Sequence, residues 1–189
     1  MIAGHTLLLV DDELGILSAL RRTLRGEAYR VLTCSDPHEA LTILEKENID
    51  LLVSDIDMPG MNGLELIARV KRQYPDVVRI LLTGRGTMDS AIQAINEGEV
   101  YRFLTKPWDD KELRETIYQA LQRLEELRKA AAADRIALRR ERLLAELERE
   151  HPGIRTVKAR DGMYLIDAER VETMAARLEV VDLRALLSG

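Results

Sequence analysis

The sequence predicts an α/β protein in which helices cover both faces of a parallel sheet. Two patterns lead to this prediction. Short continuous apolar runs are typical of buried strands, and segments with apolar residues at helical spacing are typical of helices packed on a sheet. The two patterns alternate five times in the first 108 residues, once in about every 25 residues, which favours a doubly wound parallel sheet.

The predicted elements follow one another in a regular order. The five strands cover residues 6–10, 29–33, 50–54, 79–83 and 101–105. The first four helices cover residues 14–25, a segment that begins at Asp36-Pro37, residues 63–73 and residues 87–96. Asp36 is a typical N-cap and Pro37 fits a first helical turn, so the second helix has a clear start.

The fifth helix is predicted to be much longer than the others. Asp109 is a suitable N-cap with Glu112 three residues later, and no glycine or proline follows until Pro152. About 40 helical residues would extend about 60 Å, which is longer than one sheet. The apolar residues follow a 4-3 spacing up to Asp134 and a changed phase after it; they are Leu113, Ile117, Ala120, Leu124, Leu127 and Ala131, then Ile136, Leu143 and Leu147.

This spacing predicts an extended signalling helix with a stutter, which forms a coiled coil between two chains. A helix folded back as a hairpin through residues 130–134 is the alternative.

The last 38 residues are predicted to form a small α+β tail. Arg160-Asp161-Gly162 is a turn signal between two short apolar runs and indicates a β-hairpin, which one or two short helices follow. The chain therefore divides into a main domain (1–125), a helical linker (126–151) and the tail (152–189).

Composition argues against several classes of protein. The chain is 46% apolar and 32% charged with a net charge of −5, so it is not a strongly basic body that binds nucleic acid mainly through phosphate contacts. No run approaches the roughly 20 apolar residues needed to span a bilayer, and the N-terminus has no secretory signal. The single cysteine, Cys34, cannot build a disulfide framework. We expect a cytoplasmic protein that does not insert into membranes.

Five polar residues lie where the predicted parallel strands end. They are Asp11 and Asp12 after the first strand, Asp55 after the third, Thr83 at the end of the fourth and Lys106 after the fifth. Doubly wound sheets form their ligand crevice at this edge. Three carboxylates there would repel one another unless a cation joined them, and a ligand set of oxygen atoms favours Mg²⁺. A carboxylate beside a metal ion is also a competent nucleophile toward phosphorus.

Four short motifs occur in the main domain in a fixed order. They are Asp11-Asp12, the segment SDIDMPGMNG from Ser54 to Gly63, Leu82-Thr83-Gly84 and Leu104-Thr105-Lys106-Pro107. Together they resemble the receiver domain of two-component response regulators over about residues 4–125. The resemblance implies a flavodoxin-like fold with strand order 2-1-3-4-5. It also implies that a partner histidine kinase phosphorylates Asp55.

The resemblance assigns a role to each residue of the site. Asp12 and Asp55 would bind Mg²⁺ through their carboxylates, Asp57 would offer its backbone carbonyl, and Asp11 would act mainly through water. Lys106 would pair with the phosphoryl group.

The resemblance also implies a switch. Thr83 would move toward the phosphoryl group and Phe103 would turn inward behind it, which repacks the surface of the fourth helix, fifth strand and fifth helix. Gly84 is small, as access to Asp55 requires. The bond between Lys106 and Pro107 is expected to be cis.

The residues after the receiver determine what its phosphorylation controls. Trp108 completes a Thr-Lys-Pro-Trp motif similar to that of receivers fused to cyclic-dinucleotide phosphodiesterases or ATP-dependent transcription activators. His151 is the only histidine after Trp108, which is too few for the metal site of the phosphodiesterase. The sequence also has no phosphate-binding loop motif for the ATPase, so we expect neither output. We expect a phosphorylation-controlled homodimer through residues 110–150 that acts on a downstream protein partner. Constitutive dimerisation through the same helix is the nearest alternative, and DNA binding through the tail is a second.

An enzyme of the haloacid-dehalogenase phosphatase type is a further alternative, because Asp55-Ile56-Asp57 has the D-x-D form used there. In those enzymes the motif follows the first strand, whereas here it follows the third. We therefore expect no separate enzymatic activity beyond phosphorylation and slow dephosphorylation of the protein itself.

Overall fold

Five parallel strands form one sheet in the order β2-β1-β3-β4-β5. The structure is a computed structural model that describes residues 4–84, 86, 92, 94 and 99–150. The strands are β1 (Thr6–Val10), β2 (Arg30–Cys34), β3 (Leu51–Asp55), β4 (Val78–Thr83) and β5 (Arg102–Thr105). The predicted flavodoxin-like fold and its strand order are confirmed.

Two strands lie one residue later than the sequence predicts. β2 begins at Arg30 and β3 at Leu51, so that Asp55 is the last residue of β3 and does not follow it. Asp50 stays outside β3, where its Oδ2 accepts a hydrogen bond from the backbone amide of Thr6 at 2.8 Å. The Asp50 backbone still pairs with both neighbouring strands, since its amide donates to the Thr6 carbonyl and its carbonyl accepts the Val78 amide, each at 2.9 Å.

The structure describes four helices, and all but the first begin at a capping side chain. They are α1 (Leu14–Thr23), α2 (Pro37–Lys46), α3 (Gly63–Gln73) and α4 (Asp110–Glu150), which is the long helix predicted as the fifth. The Asp36 carboxylate accepts from the amides of the first turn of α2, and the Asn62 side chain does so at α3. Asp109 accepts from two amides of α4 at 2.9 Å each, so its predicted N-cap role is confirmed.

The sheet separates two apolar layers. On one face α2 and α3 pack against alternate strand residues such as Leu8, Leu52 and Leu81. On the other face α1 and the first part of α4 pack against the intervening residues, such as Leu9 and Val53. Burial of both sheet faces explains why the strands are continuous apolar runs.

The 4-3 apolar seam of α4 has two different environments. Leu113, Ile117, Ala120 and Leu124 are buried against the sheet. Beyond them, Leu127 is 52% exposed and Ile136 is 69% exposed, whereas Leu143 and Leu144 are half-buried. The first half of the predicted coiled-coil seam is therefore a core face of the same domain. The helix is continuous from Asp110 to Glu150, so the alternative of a hairpin through residues 130–134 is wrong.

The chain divides into two compact units, Met1–Arg128 and Lys129–Gly189. The described part of the second unit, residues 129–150, is helical. The predicted tail, with its hairpin and short helices, lies outside the described residues, as does most of the predicted 87–96 helix, of which Ala94 is buried in the core. Within the described residues, no helix is both long enough and apolar enough to cross a membrane.

Candidate functional site

The carboxyl edge of the sheet brings together side chains that are distant in sequence. β1 and β3 are neighbours, with Val10 opposite Ser54. Asp11 and Asp55 are therefore the next pair along this register, at the point where the order of strands reverses. The structure places both where the sequence predicts the crevice.

Three carboxylates form a compact oxygen cluster at this edge. Ligand atoms of Asp11, Asp12 and Asp55 all lie within 4.8 Å of one another. Asp11 is fully buried, Asp55 is 4% exposed, and Asp12 is exposed to solvent. An oxygen-only donor set of this size with one open side suits a hard divalent cation such as Mg²⁺, which retains several water ligands.

Lys106 directly follows β5, which lies two strands away from β3, and its side chain reaches the cluster. Its Nζ lies 2.7 Å from Asp11 Oδ2 and 2.8 Å from Asp55 Oδ1. Burial by itself would lower the pKa of Lys106, but the hydrogen bonds and charges of the two carboxylates outweigh it and raise this pKa. Lys106 is therefore held as a cation. We call Asp11, Asp12, Asp55 and Lys106 the carboxyl-edge cluster.

The Asp11 carboxylate is only partly compensated. Burial raises its pKa, and the Lys106 ammonium and a hydrogen bond from the Glu13 amide at 2.9 Å oppose this rise without cancelling it. The charge of Asp55 adds to the rise. The cluster thus contains three acids for one ammonium, and a second positive charge would stabilise its ionised form.

Thr83 is the last residue of β4, the strand between β3 and β5. It is fully buried, and its hydroxyl donates to the carbonyl oxygen of Gly84 at 3.0 Å. The Lys106 amide donates to the Thr83 carbonyl at 2.8 Å, which couples the ends of β4 and β5. The structure therefore places the predicted switch residue beside the strand that carries Lys106.

Gly63 is a site residue whose role the sequence analysis does not assign. Its amide donates to the Ile56 carbonyl at 2.9 Å, and a Cβ at this position would overlap with the backbone carbonyl of Asp55. The loop after β3 therefore returns so close to Asp55 that only glycine fits. The signal was present as the glycine that ends the SDIDMPGMNG motif, but sequence spacing does not show which backbone it approaches.

The remaining predicted residues occupy different positions around the site. Asp57 is exposed in the loop after β3, and Phe103 is half-buried in β5 beside the first apolar layer. The Lys106–Pro107 peptide bond is cis. A Cβ on Gly84 would meet no heavy atom within 4 Å, so packing in the described residues leaves room for a side chain there.

A model of the response regulator receiver domain matches residues 7–118. The chain belongs to this receiver family. The matched residues contain the carboxyl-edge cluster and, except for Thr6, the whole sheet. This family assignment and the position of the acidic motif at the third strand favour the receiver over the phosphatase alternative.

Similar proteins agree with the receiver assignment. The chain is 38% identical over 117 residues to the hydrogenase transcriptional regulatory protein HoxA of Cupriavidus necator, which covers 62% of this chain and 24% of that protein. It is 40% identical over 116 residues to the transcriptional regulatory protein GlrR of Escherichia coli, with coverage of 61% and 26%. The chain thus spans about a quarter of the length of these relatives.

Solved structures show the same fold. A signal receiver domain of an HD domain-containing protein from Pseudomonas fluorescens is 40% identical, with a TM-score of 0.64, and the similarity covers 68% of this chain and 95% of that one. The similarity to this structure leaves about a third of the chain unmatched.

Proposed function

We propose that this receiver accepts a phosphoryl group on Asp55 from a histidine kinase, with Mg²⁺ bound beside it. The observation that carries the proposal is the carboxyl-edge cluster, in which a nearly buried carboxylate contacts both a second carboxylate and an ammonium group. A structural ion pair needs one acid for one base, and this cluster has two more acids than bases.

The chemistry is a phosphoryl transfer between side chains. An oxygen of the Asp55 carboxylate attacks phosphorus, a P–O bond forms, the P–N bond of the kinase phosphohistidine breaks, and the imidazole leaves with the electron pair. Lys106 is in place to pair with a phosphoryl oxygen, and the Thr83 hydroxyl would donate to another after it leaves the Gly84 carbonyl.

The metal would be held by residues of the first and third strand ends. Asp12 and Asp55 would provide carboxylate oxygens, Asp57 its backbone carbonyl, and Asp11 would bind through water. Bound Mg²⁺ would neutralise charge on the phosphoryl oxygens. The donor set fits this ion because the acidic oxygens are already clustered.

The phosphoryl signal would leave through the side of the sheet that contains β4 and β5. Movement of Thr83 removes its hydroxyl from the Gly84 carbonyl, and half-buried Phe103 can follow it inward. The predicted 87–96 helix, β5 and the start of α4 would then present a changed surface to a protein partner.

The same proposal includes a homodimer through the long helix. Since Leu113 to Leu124 already pack on the sheet, contact between two chains would use apolar side chains that are exposed farther along the helix, such as Leu127, Ile136 and Leu138. A two-chain coiled coil through residues 127–150 would bury these side chains. We keep the proposed division into receiver, helical linker (126–151) and tail (152–189).

Labelling of Asp55 is the direct test. The wild type and an Asp57→Asn control, incubated with acetyl phosphate and Mg²⁺, should each gain one phosphoryl group in an intact-mass spectrum. Asp55→Asn should gain none, because it lacks the attacking carboxylate. Stoichiometric labelling of Asp55→Asn would refute the site, and equal loss in both variants would show that the loop was disturbed.

Light scattering with Mg²⁺ alone and then with beryllofluoride, a phosphoryl mimic, tests the dimer. A change from monomer to dimer on addition of the mimic would show a phosphorylation-gated dimer, whereas an unchanged dimer would show a fixed one. Trp108 fluorescence in the same samples reports whether the mimic has bound.

Transcriptional regulation is a second candidate, because two similar proteins are named as transcriptional regulatory proteins. The similarity covers only about a quarter of each of them, so DNA binding would have to come from elsewhere in the chain. The neutral charge balance of residues 152–189 does not favour it. Salt-dependent binding of the full chain to duplex DNA, measured by fluorescence anisotropy, decides between the candidates.

A further inference from the structure

A second charged cluster lies at the opposite, amino edge of the sheet. It consists of His5 before β1, Asp50 before β3, and Glu125 and Arg128 on α4; we call it the amino-edge cluster. The compact unit that contains the sheet ends at Arg128. The cluster therefore lies at the end of the helical stretch that belongs to this unit.

The amino-edge cluster is closely connected. Arg128 Nη1 lies 2.7 Å from Asp50 Oδ1 and 3.5 Å from Glu125 Oε1. His5 is 6% exposed, and its two ring nitrogens lie 3.3 Å from Asp50 Oδ2 and 3.8 Å from Glu125 Oε1. Asp50 also accepts the Thr6 amide, so the helix is tied to backbone at the start of β1.

The other end of the same helical stretch is also tied down. The Thr23 hydroxyl at the end of α1 donates to Asp110 Oδ1 at 2.7 Å. Between the two ends, the apolar face of α4 shares one buried cluster with Leu82 and Leu104. These two residues adjoin Thr83 and Phe103, the proposed switch residues, so a movement of β4 and β5 would press on the helix.

We propose that the amino-edge cluster anchors residues 110–128 of the long helix to β1 and β3 in both phosphorylation states. The phosphoryl signal would then reach a partner through the β4–β5 side and would not act by releasing the helix. This inference rests on the proposed phosphoacceptor function and specifies how its signal is routed. His5, Asp50, Glu125 and Arg128 are positioning residues for the helix.

Hydrogen–deuterium exchange of the full chain in Mg²⁺, with and without beryllofluoride, tests the anchor. In the wild type the mimic should change exchange around Asp55 and in β5, but should change residues 110–128 by less than about twofold. Arg128→Gln should raise exchange of residues 121–128 about tenfold, because the helix end loses its tie to Asp50. In this variant the mimic should also alter exchange in the helix, since movement of β4 and β5 is no longer resisted.

Matched variants separate anchoring from general destabilisation. Arg123→Gln makes the same charge change on the same helix, but Arg123 pairs with exposed Glu126 at 3.4 Å outside the cluster, so it should behave as wild type. Arg128→Lys keeps the charge and should restore much of the protection. If Arg128 stabilised only the helix end, Arg128→Gln would raise exchange by the same factor with and without the mimic.

Two results would overturn the anchor. One is a mimic-induced change in residues 110–128 of the wild type as large as that around Asp55. The other is equal exchange of residues 121–128 in Arg128→Gln and Arg123→Gln. If the mimic changes no peptide at all, the phosphoacceptor proposal fails, and the comparison of these two variants in Mg²⁺ alone still decides whether the cluster anchors the helix.

Discussion

The two edges of the sheet carry charged clusters of similar size but different balance. At the carboxyl edge, three carboxylates lie together, two of them contact one ammonium, and Asp55 and Asp11 are almost inaccessible. At the amino edge, two carboxylates contact Arg128 and His5. Both clusters join β1 to β3, and both receive a charged residue from a later part of the chain.

The difference in balance separates a binding site from a structural contact. In the amino-edge cluster two basic side chains, Arg128 and His5, contact the two carboxylates, whereas at the carboxyl edge Lys106 is the one basic side chain beside three carboxylates. The carboxyl-edge cluster leaves Asp11 with a pKa raised by burial in spite of Lys106. A buried excess of one charge is costly unless a ligand compensates it, so it marks the edge where a cation and a phosphoryl group would bind.

Replacement of Lys106 should have the largest effect. Lys106→Ala removes a charge-assisted hydrogen bond worth about 1.5–3 kcal/mol, so beryllofluoride should bind about tenfold to a hundredfold more weakly. Mg²⁺ binding should be largely retained, because the three carboxylates remain. Isothermal titration calorimetry with each ligand measures both effects.

Lys111→Ala is the matched control for Lys106→Ala, since Lys111 is an exposed lysine in the first turn of α4. It should bind both ligands as the wild type does. Loss of Mg²⁺ binding in Lys106→Ala would mean that the ammonium organises the carboxylates and is not primarily a phosphoryl ligand.

A side chain at Gly63 should disturb the carboxyl edge through the backbone. In Gly63→Ala the new Cβ meets the Asp55 carbonyl, and overpacking of this kind costs about 3 kcal/mol. Chemical denaturation should show this loss, and labelling of Asp55 should fall with it because the loop has to move.

Gly84→Ala tests whether the effect is specific to close backbone approach. Open space surrounds this position among the described residues, so the variant should lose less than about 1 kcal/mol. Equal destabilisation of the two variants would argue against the contact of Gly63 with Asp55.

The smallest predicted effect is a pH dependence of stabilisation by Mg²⁺. Because burial raises the pKa of Asp11 above 3.8, the metal-free fold binds this proton more tightly than the unfolded chain does. The resulting stability is present below pH 3.8 and is lost as pH rises through the raised pKa. Mg²⁺ should offset that loss only where Asp11 is ionised.

At ten times its dissociation constant, Mg²⁺ should contribute about 1.4 kcal/mol, or about 5 °C in melting temperature, near neutral pH. The increment should fall as pH drops through the raised pKa of Asp11. Thermal melts in Mg²⁺ and in NaCl of equal ionic strength measure it. A constant increment from acidic to neutral pH would show that the carboxylates do not hold the ion.

The sequence predicted most of the fold because both faces of the sheet are buried. Continuous apolar strands and capped helices such as those starting after Asp36 and Asp109 follow from local chemistry. The one-residue shift of β3 was missed because apolar patterning does not mark the exact ends of a strand, and Asp50 before β3 still pairs through its backbone with Thr6 and Val78. The seam of α4 was misassigned in part, since a 4-3 spacing does not distinguish a sheet from a partner helix as the surface that covers it.

By itself, the sequence determined the alternation of elements, the set of strand-end polar residues and the motifs that mark the receiver. Tertiary structure decided which charges meet. It brought Lys106 across two strands to Asp11 and Asp55, pressed Gly63 against the Asp55 backbone, and joined His5 and Asp50 to the end of the domain's helical stretch. Such contacts depend on strand order and helix packing, which bring together residues such as Asp11 and Lys106, 95 positions apart.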